Sequence, residues 1–494
     1  MAQAAGLAQR SISAVLWGAS GSAVQMVLQF GIQVVLARLL GPDQYGLFAL
    51  ALVVITLCSY FGLNLVAALI QKRDLSDEDV RFVTFWQLAI GAAIAAAVYL
   101  GAGTIAAFFH EPRIAPLLEA MAIVCLLQAA AGIPSSLLSR ELDLKWVYFA
   151  NTAGYAIGYG MIGIPLALAG YGVRALVIAY VLQSFLSLAA LYWRKPPLLG
   201  ALVLWHRDAA ALWRYGATVF ATNLSNWALV NVGRAVVGRV FPSATVGLYA
   251  LAYNLAMQLA AAVTGAVQPP LFSASSRVQD DPSRLRPVFL AMLAASALIS
   301  APLFAGMAAA SQTLTLALYG AAWADSAPLL RAFALAMPFY LAAAMATPML
   351  WTSGRITQEY KIQLPIAAAL ALATYLAAQN SLAAAAWAAC GIFALRFVVI
   401  TGAACRALGL RFSDIAKALQ AGIAVSAFVA LAIALADDVA GMLTDSRQAA
   451  LAVDVATGFV AQLMALRFTR PWFTPEAAAL FDKLLAMLPG RRRA

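Results

Sequence analysis

The chain has 494 residues, 64% of them hydrophobic and 11% charged, with a mean hydropathy of +0.85. Soluble domains carry roughly 25% charge, so an assembly of soluble domains is excluded. The net charge of +11 raises nucleic acid as a partner, but the placement of the basic residues argues against it.

The first apolar run, 14–36, is too long for a cleavable signal peptide and lacks a small-x-small site. Further runs follow at 46–70, 82–109, 115–138, 147–169, 173–193, 216–240, 245–270, 288–310, 327–351, 362–379, 382–405, 418–436 and 448–468. Each is close to the roughly 20 residues that cross about 30 Å of hydrocarbon as a helix. They are rich in Ala, Leu, Gly and Val without period-two alternation, which argues against a β-barrel. The expected fold is an all-α membrane protein of about fourteen transmembrane helices. The even-numbered loops and both tails hold 24 Lys and Arg; the odd loops hold five, Arg38, Arg113, Arg174, Arg239 and Arg447. By the positive-inside rule both termini are cytoplasmic, and no nucleic-acid partner is expected.

One stretch occurs twice. Residues 37–51 read ARLLGPDQYGLFALA and 238–252 read GRVFPSATVGLYALA. At an offset of 201, Arg38 falls on Arg239 and Gly46 on Gly247. Leu47 falls on Leu248, and Ala49 to Ala51 on Ala250 to Ala252. Each copy is a polar, Pro-containing turn between two apolar runs, a helical hairpin. A second echo follows, Pro116-Leu117-Leu118 and Pro328-Leu329-Leu330. The expected organisation is a six-helix bundle over 1–205, a second over 206–405, and two extra helices with a cytoplasmic amphipathic tail over 406–494. The connection 194–214, with Trp205, His206, Arg207, Trp213 and Arg214, reads as a short interfacial helix. In the tail, Leu480, Phe481, Leu484, Leu485 and Leu488 form an apolar stripe ahead of Arg491 to Arg493, an anchor on membrane lipids.

Signals for covalent chemistry fail on context. Gly158, Gly160 and Gly163 match a dinucleotide pattern but lie inside an apolar run with no strand before them, so close helix packing is the better reading. His110 and His206 lie in distant loops, and Cys58, Cys125, Cys390 and Cys405 have no metal-ligand spacing. No metal, cofactor or catalytic residue is expected; a proton or sodium gradient is left open as the energy source.

Polarity inside the runs is more informative. In 14–36, Ser22, Gln25, Gln29 and Gln33 share one helical face; in 216–240, Asn223, Asn226, Asn231 and Arg234 nearly do. An amide or guanidinium facing lipid is costly, so both stripes are expected to line a central cavity. The telling charges within the runs are Arg234, Arg331, Arg396 and Asp454, with Glu119 the other acid at comparable depth and Arg38 and Arg239 at outer ends. Arg234, Arg396 and Arg331 read as cavity cations for an anionic, phosphate-bearing ligand, and Arg38 and Arg239 as its rim. Asp454 lies outside the repeats and is assigned no coupling role.

LARLLGPDQYGLFALA, VGRAVVGRVFPSATVGLYALAYNLA and PPLFSASSRVQDDPSRLRPVFL resemble polysaccharide flippases of the Wzx type, in the multidrug/oligosaccharidyl-lipid/polysaccharide exporter superfamily. The resemblance runs from about residue 10 to 410. It implies two six-helix bundles in a V and alternating access. It also implies transfer of undecaprenyl-diphosphate-linked oligosaccharide across a bacterial inner membrane, for exopolysaccharide or lipopolysaccharide O-antigen. Arginines would hold the diphosphate and amides the sugar hydroxyls; a polysaccharide polymerase and chain-length machinery would be partners. Many relatives carry an acid just before the arginine that matches Arg234, where this chain has Gly233. The other readings are a lipid II flippase, a drug/cation antiporter of the same superfamily, and a membrane polymerase or acyltransferase. A cationic drug would want intramembrane carboxylates, which are scarce here, and an enzyme a large polar loop, which is absent.

Overall fold

The computed structural model describes residues 2–62, 65–72, 74–196, 203–276, 282–352, 356–444 and 446–469. Every regular element among them is helical. In chain order they are α1 (Ala2–Gly62), α2 (Val66–Gln71), α3 (Asp77–Phe108), α4 (Ala115–Arg140), α5 (Leu144–Tyr155), α6 (Ile164–Leu168), α7 (Val173–Arg194) and α8 (Ala209–Val240). There follow α9 (Ser243–Ser276), α10 (Pro282–Ala309), α11 (Ser311–Tyr319), α12 (Ala327–Thr352), α13 (Ile356–Ala378), α14 (Leu382–Leu408), α15 (Phe412–Leu443) and α16 (Arg447–Thr469).

Eleven of these stretches are long and apolar enough to cross a membrane. The expected runs not counted separately have local explanations. α1 is broken at Gly41, whose φ of +70° lies in the region open to glycine, so the run at 14–36 and the part of the run at 46–70 up to Gly62 are two arms of one element. α8 carries the polar stripe that lowers its hydropathy. A π-helical segment, Ala156–Gly163, divides the run between α5 and α6. The chain is an all-α membrane protein.

It divides into two compact units, Met1–Gly247 and Leu248–Ala494. In the first, α4 is the hub and packs against α1, α3 and α7, while α5 and the π segment lie along α7. Glycines permit that last approach: a side chain at Gly154 would meet Ser187, and one at Gly158 the Ala179 carbonyl and Gln183. The dinucleotide-like glycines are thus a packing seam, as expected. In the second unit α10, α12 and α14 form the centre, and Phe289, Phe304, Phe333 and Phe393 are fully buried in it. α15 packs against α10 and α16 against α15, so the two extra helices belong to this unit.

Helix ends follow local chemistry. Ser76 and Asp79 form a capping box that opens α3, Ser381 accepts from the Ala384 N–H at the start of α14, and Gly409 closes α14 with φ +65°. The connection before α8 differs from expectation. Residues 203–208 are not helical, and Trp213 and Arg214 lie in the first turns of α8. Side-chain contacts anchor this stretch. His206 Nε2 is 2.7 Å from the buried Asp79 carboxylate, and Lys72 Nζ bridges Asp79 and Asp208 at 2.6 Å each. Trp86 Nε1 donates to the Leu204 carbonyl at 3.0 Å. The amphipathic stripe at 480–488 and the side chain of Ser22 lie outside the described residues.

Candidate functional site

The two copies of the repeated turn touch each other within the first unit, reciprocally. A methyl group at Gly46 would overlap the Ser243 carbonyl, and one at Gly247 the Pro42 carbonyl. Pro42 and Ser243, like Gly46 and Gly247, are 201 residues apart, so the contact obeys the same offset as the repeat. Polar groups close around it. Arg113 Nη1 lies 2.9 Å from Asp43 Oδ2, its Nη2 donates to Ser243 Oγ at 2.9 Å, its Nε lies 2.8 Å from Glu111 Oε1, and Ser243 also donates to Asp43. The Arg113 guanidinium holds the Glu111 carboxyl below the usual carboxylate range. Arg239, expected at a cavity rim, bonds His110 and lies 5.5 Å from the Phe108 ring centroid. Arg38 is exposed.

The amide stripe of α1 is half-buried at Gln25, Gln29 and Gln33. Gln33 Nε2 donates to Tyr45 Oη at 2.5 Å, and Tyr155 Oη donates to the Gln29 carbonyl at 3.5 Å. On α8, Asn223 is half-buried, Asn226 exposed and Asn231 buried. Asn231 Nδ2 donates to the Trp227 carbonyl at 3.1 Å, and its Oδ1 accepts from Arg234 Nη2 at 2.9 Å. With Gly233 in place of the acid common among relatives, an amide one turn back meets the guanidinium. α8 packs against the second arm of α1, where Trp227 Nε1 donates to Thr56 Oγ1 at 3.2 Å and Gly238 abuts Leu50.

The remaining cations lie in the second unit. Arg396, on α14, is 5% exposed, and its charge lies 5.3 Å from the Tyr340 ring centroid. Its Nε and Nη1 have no hydrogen-bond partner among the described residues. Glu359 on α13 interacts with its charge without forming an ion pair. Arg331 is exposed and donates from Nε to the Ala308 carbonyl at 3.3 Å. The structure therefore groups Gln25, Gln29, Gln33, Asn223, Asn226, Asn231 and Arg234 in the first unit, and Arg331 and Arg396 in the second.

Two polar groupings escape a reading by runs. The Asp43–Glu111–Arg113–Ser243 cluster joins three separate turns. Asp437 is beside Asp454, which the run 418–436 just misses.

A family model described as polysaccharide biosynthesis protein matches residues 35–328. The chain is 24% identical to the lipopolysaccharide biosynthesis protein WzxC of Escherichia coli K12 over 66% of each chain. It is 26% identical to the succinoglycan biosynthesis transport protein ExoT of Rhizobium meliloti 1021 over 62% of each. It thus spans just under two thirds of the length of both relatives. In fold it is similar to the lipid II flippase MurJ in an inward closed conformation, with a TM-score of 0.73 and 14% identity over 92% of this chain and 99% of that one.

Proposed function

From the premise that the chain belongs to the polysaccharide biosynthesis protein family, we propose that it is a flippase for undecaprenyl-diphosphate-linked oligosaccharide. It moves this lipid across the bacterial inner membrane by alternating access, with both termini cytoplasmic and no covalent chemistry. The product feeds an exopolysaccharide or lipopolysaccharide O-antigen, with a polymerase and chain-length machinery as partners. The two bundles are read as 1–205 and 206–405, with 406–494 added.

The observation that carries this reading is Arg396, enclosed on α14 with its Nε and Nη1 unbonded among the described residues. An intramembrane arginine costs at least ~2.5 kcal/mol to insert, and one without a carboxylate keeps its charge for an anion. Arg234, inside α8 with its Nη2 donating to Asn231 Oδ1, is a second cation on the same reading. Planar guanidinium groups suit phosphate oxygens, and the amides of α1 and α8 suit sugar hydroxyls.

Arg234→Gln and Arg396→Gln are each predicted to abolish polymer export while leaving the amount of protein in the membrane unchanged. Immunoblots of membrane fractions beside polymer yield measure both. Normal export by both variants overturns these roles. Loss of viability on deleting the gene would favour the lipid II reading instead.

A further inference from the structure

Asp454 sits on α16 and is 1% exposed, and no donor among the described residues reaches either of its carboxylate oxygens. The carboxyl of Asp437 on α15 lies within electrostatic reach of it. Helix pairing puts the two acids there. α15 and α16 are consecutive helices packed against each other, and a side chain on Gly458 would press on Ile433. Asp437 is four residues after Ile433, and Asp454 four residues before Gly458. The acids therefore face each other one helical turn nearer the loop. Thr313 Oγ1, from α11 packed on α16, donates to Asp437 at 2.5 Å.

The surrounding helices supply no counter-charge. α11 carries no charged residue, and its one titratable side chain, Tyr319, stands at its far end. The charges of α10, Arg284 and Arg286, lie at its opposite end. On the acids' own helices, Asp438 is exposed, Asp414 and Lys417 open α15 at its distant end, and Arg467 closes α16. Arg447 is exposed two turns from Asp454, ~10 Å along the axis. Two adjacent carboxylates repel, and a buried one without donors is costly to keep.

We propose that Asp437, Asp454 and Thr313 form a binding site for a small hard cation, a proton or a sodium ion. Oxygen ligands are what such cations take. Asp437 is only half-buried, so the ion enters past its side chain. That this ion drives transport rests on the flippase reading; the site itself does not. The driving ion would then act on the two helices outside the repeat.

The test is thermal unfolding of the full-length protein in detergent, with two arms. One exchanges sodium chloride for choline chloride at constant ionic strength and pH. The other varies pH over roughly 5 to 8 in choline chloride. Either sodium or acid is expected to raise the unfolding temperature of the wild type by about 2 °C, and the arm that responds identifies the ion. Asp454→Asn, and independently Asp437→Asn, are expected to lose that response while still folding in choline. A wild type indifferent to both arms, or an Asp454→Asn protein that responds like wild type, overturns the site. Neither arm needs transport, so a protein that responds but flips no lipid overturns the flippase reading alone.

Discussion

Arg396 stands in a helix long and apolar enough to cross a membrane and makes no ion pair among the described residues, and Arg234 stands in α8. They differ in setting. Arg234 is half-buried and leans on Asn231, whereas Arg396 is enclosed over Tyr340. Arg113 shows the contrasting case, a guanidinium spent on structure, with Asp43 and Glu111 both in reach. Because Glu111 has a folded pKa below its ordinary value, it contributes stability above that value and loses it as pH falls. The wild-type unfolding temperature is predicted to drop as pH falls below about 4.5, and less steeply in Glu111→Gln. Equal slopes would mean that the pairing contributes nothing. Arg113 is 53% exposed, so the effect is modest.

At the level of elements, the repeated turn is the clearest link from sequence to packing. Gly46 and Gly247 are shared by the two copies because each lets its helix start press on the other's backbone. Gly46→Ala and Gly247→Ala are each predicted to cost about 1–3 kcal/mol through overpacking. Gly31→Ala, with open space around it, is predicted to be neutral or slightly stabilising. Unfolding of the three purified variants separates these outcomes; equal behaviour of Gly46→Ala and Gly31→Ala would contradict the interlock. The turn was legible because a repeat in sequence survives as a repeat in space. The stretch before α8 was not: its aromatic and basic residues suit an interfacial helix, but Asp79 lies 127 residues from His206 and captures it. Asp437 was missed for the same reason, since hydropathy reports one helix at a time and not which faces meet.

For the whole molecule, hydropathy and turn residues were enough to mark the helices, because lipid demands that each crossing segment satisfy its own backbone. Gly41, the π segment and the polar face of α8 account for every run that composition alone would blur. The basic loops predict the orientation. In a protein with its native cysteines replaced, Ser446→Cys is predicted to react with an impermeant maleimide from outside the cell, and Arg411→Cys only after lysis. The reverse pattern would invert the chain in the membrane. The central claim, that this chain moves a lipid-linked oligosaccharide, is tested most directly by radiolabelling sugar in a deletion strain and assaying the polyprenyl-linked glycan. The account predicts that labelled lipid-linked repeat units accumulate on the cytoplasmic leaflet, and that wild type but not Arg234→Gln clears them. Absence of accumulation, with polymer still made at the normal rate, would contradict it.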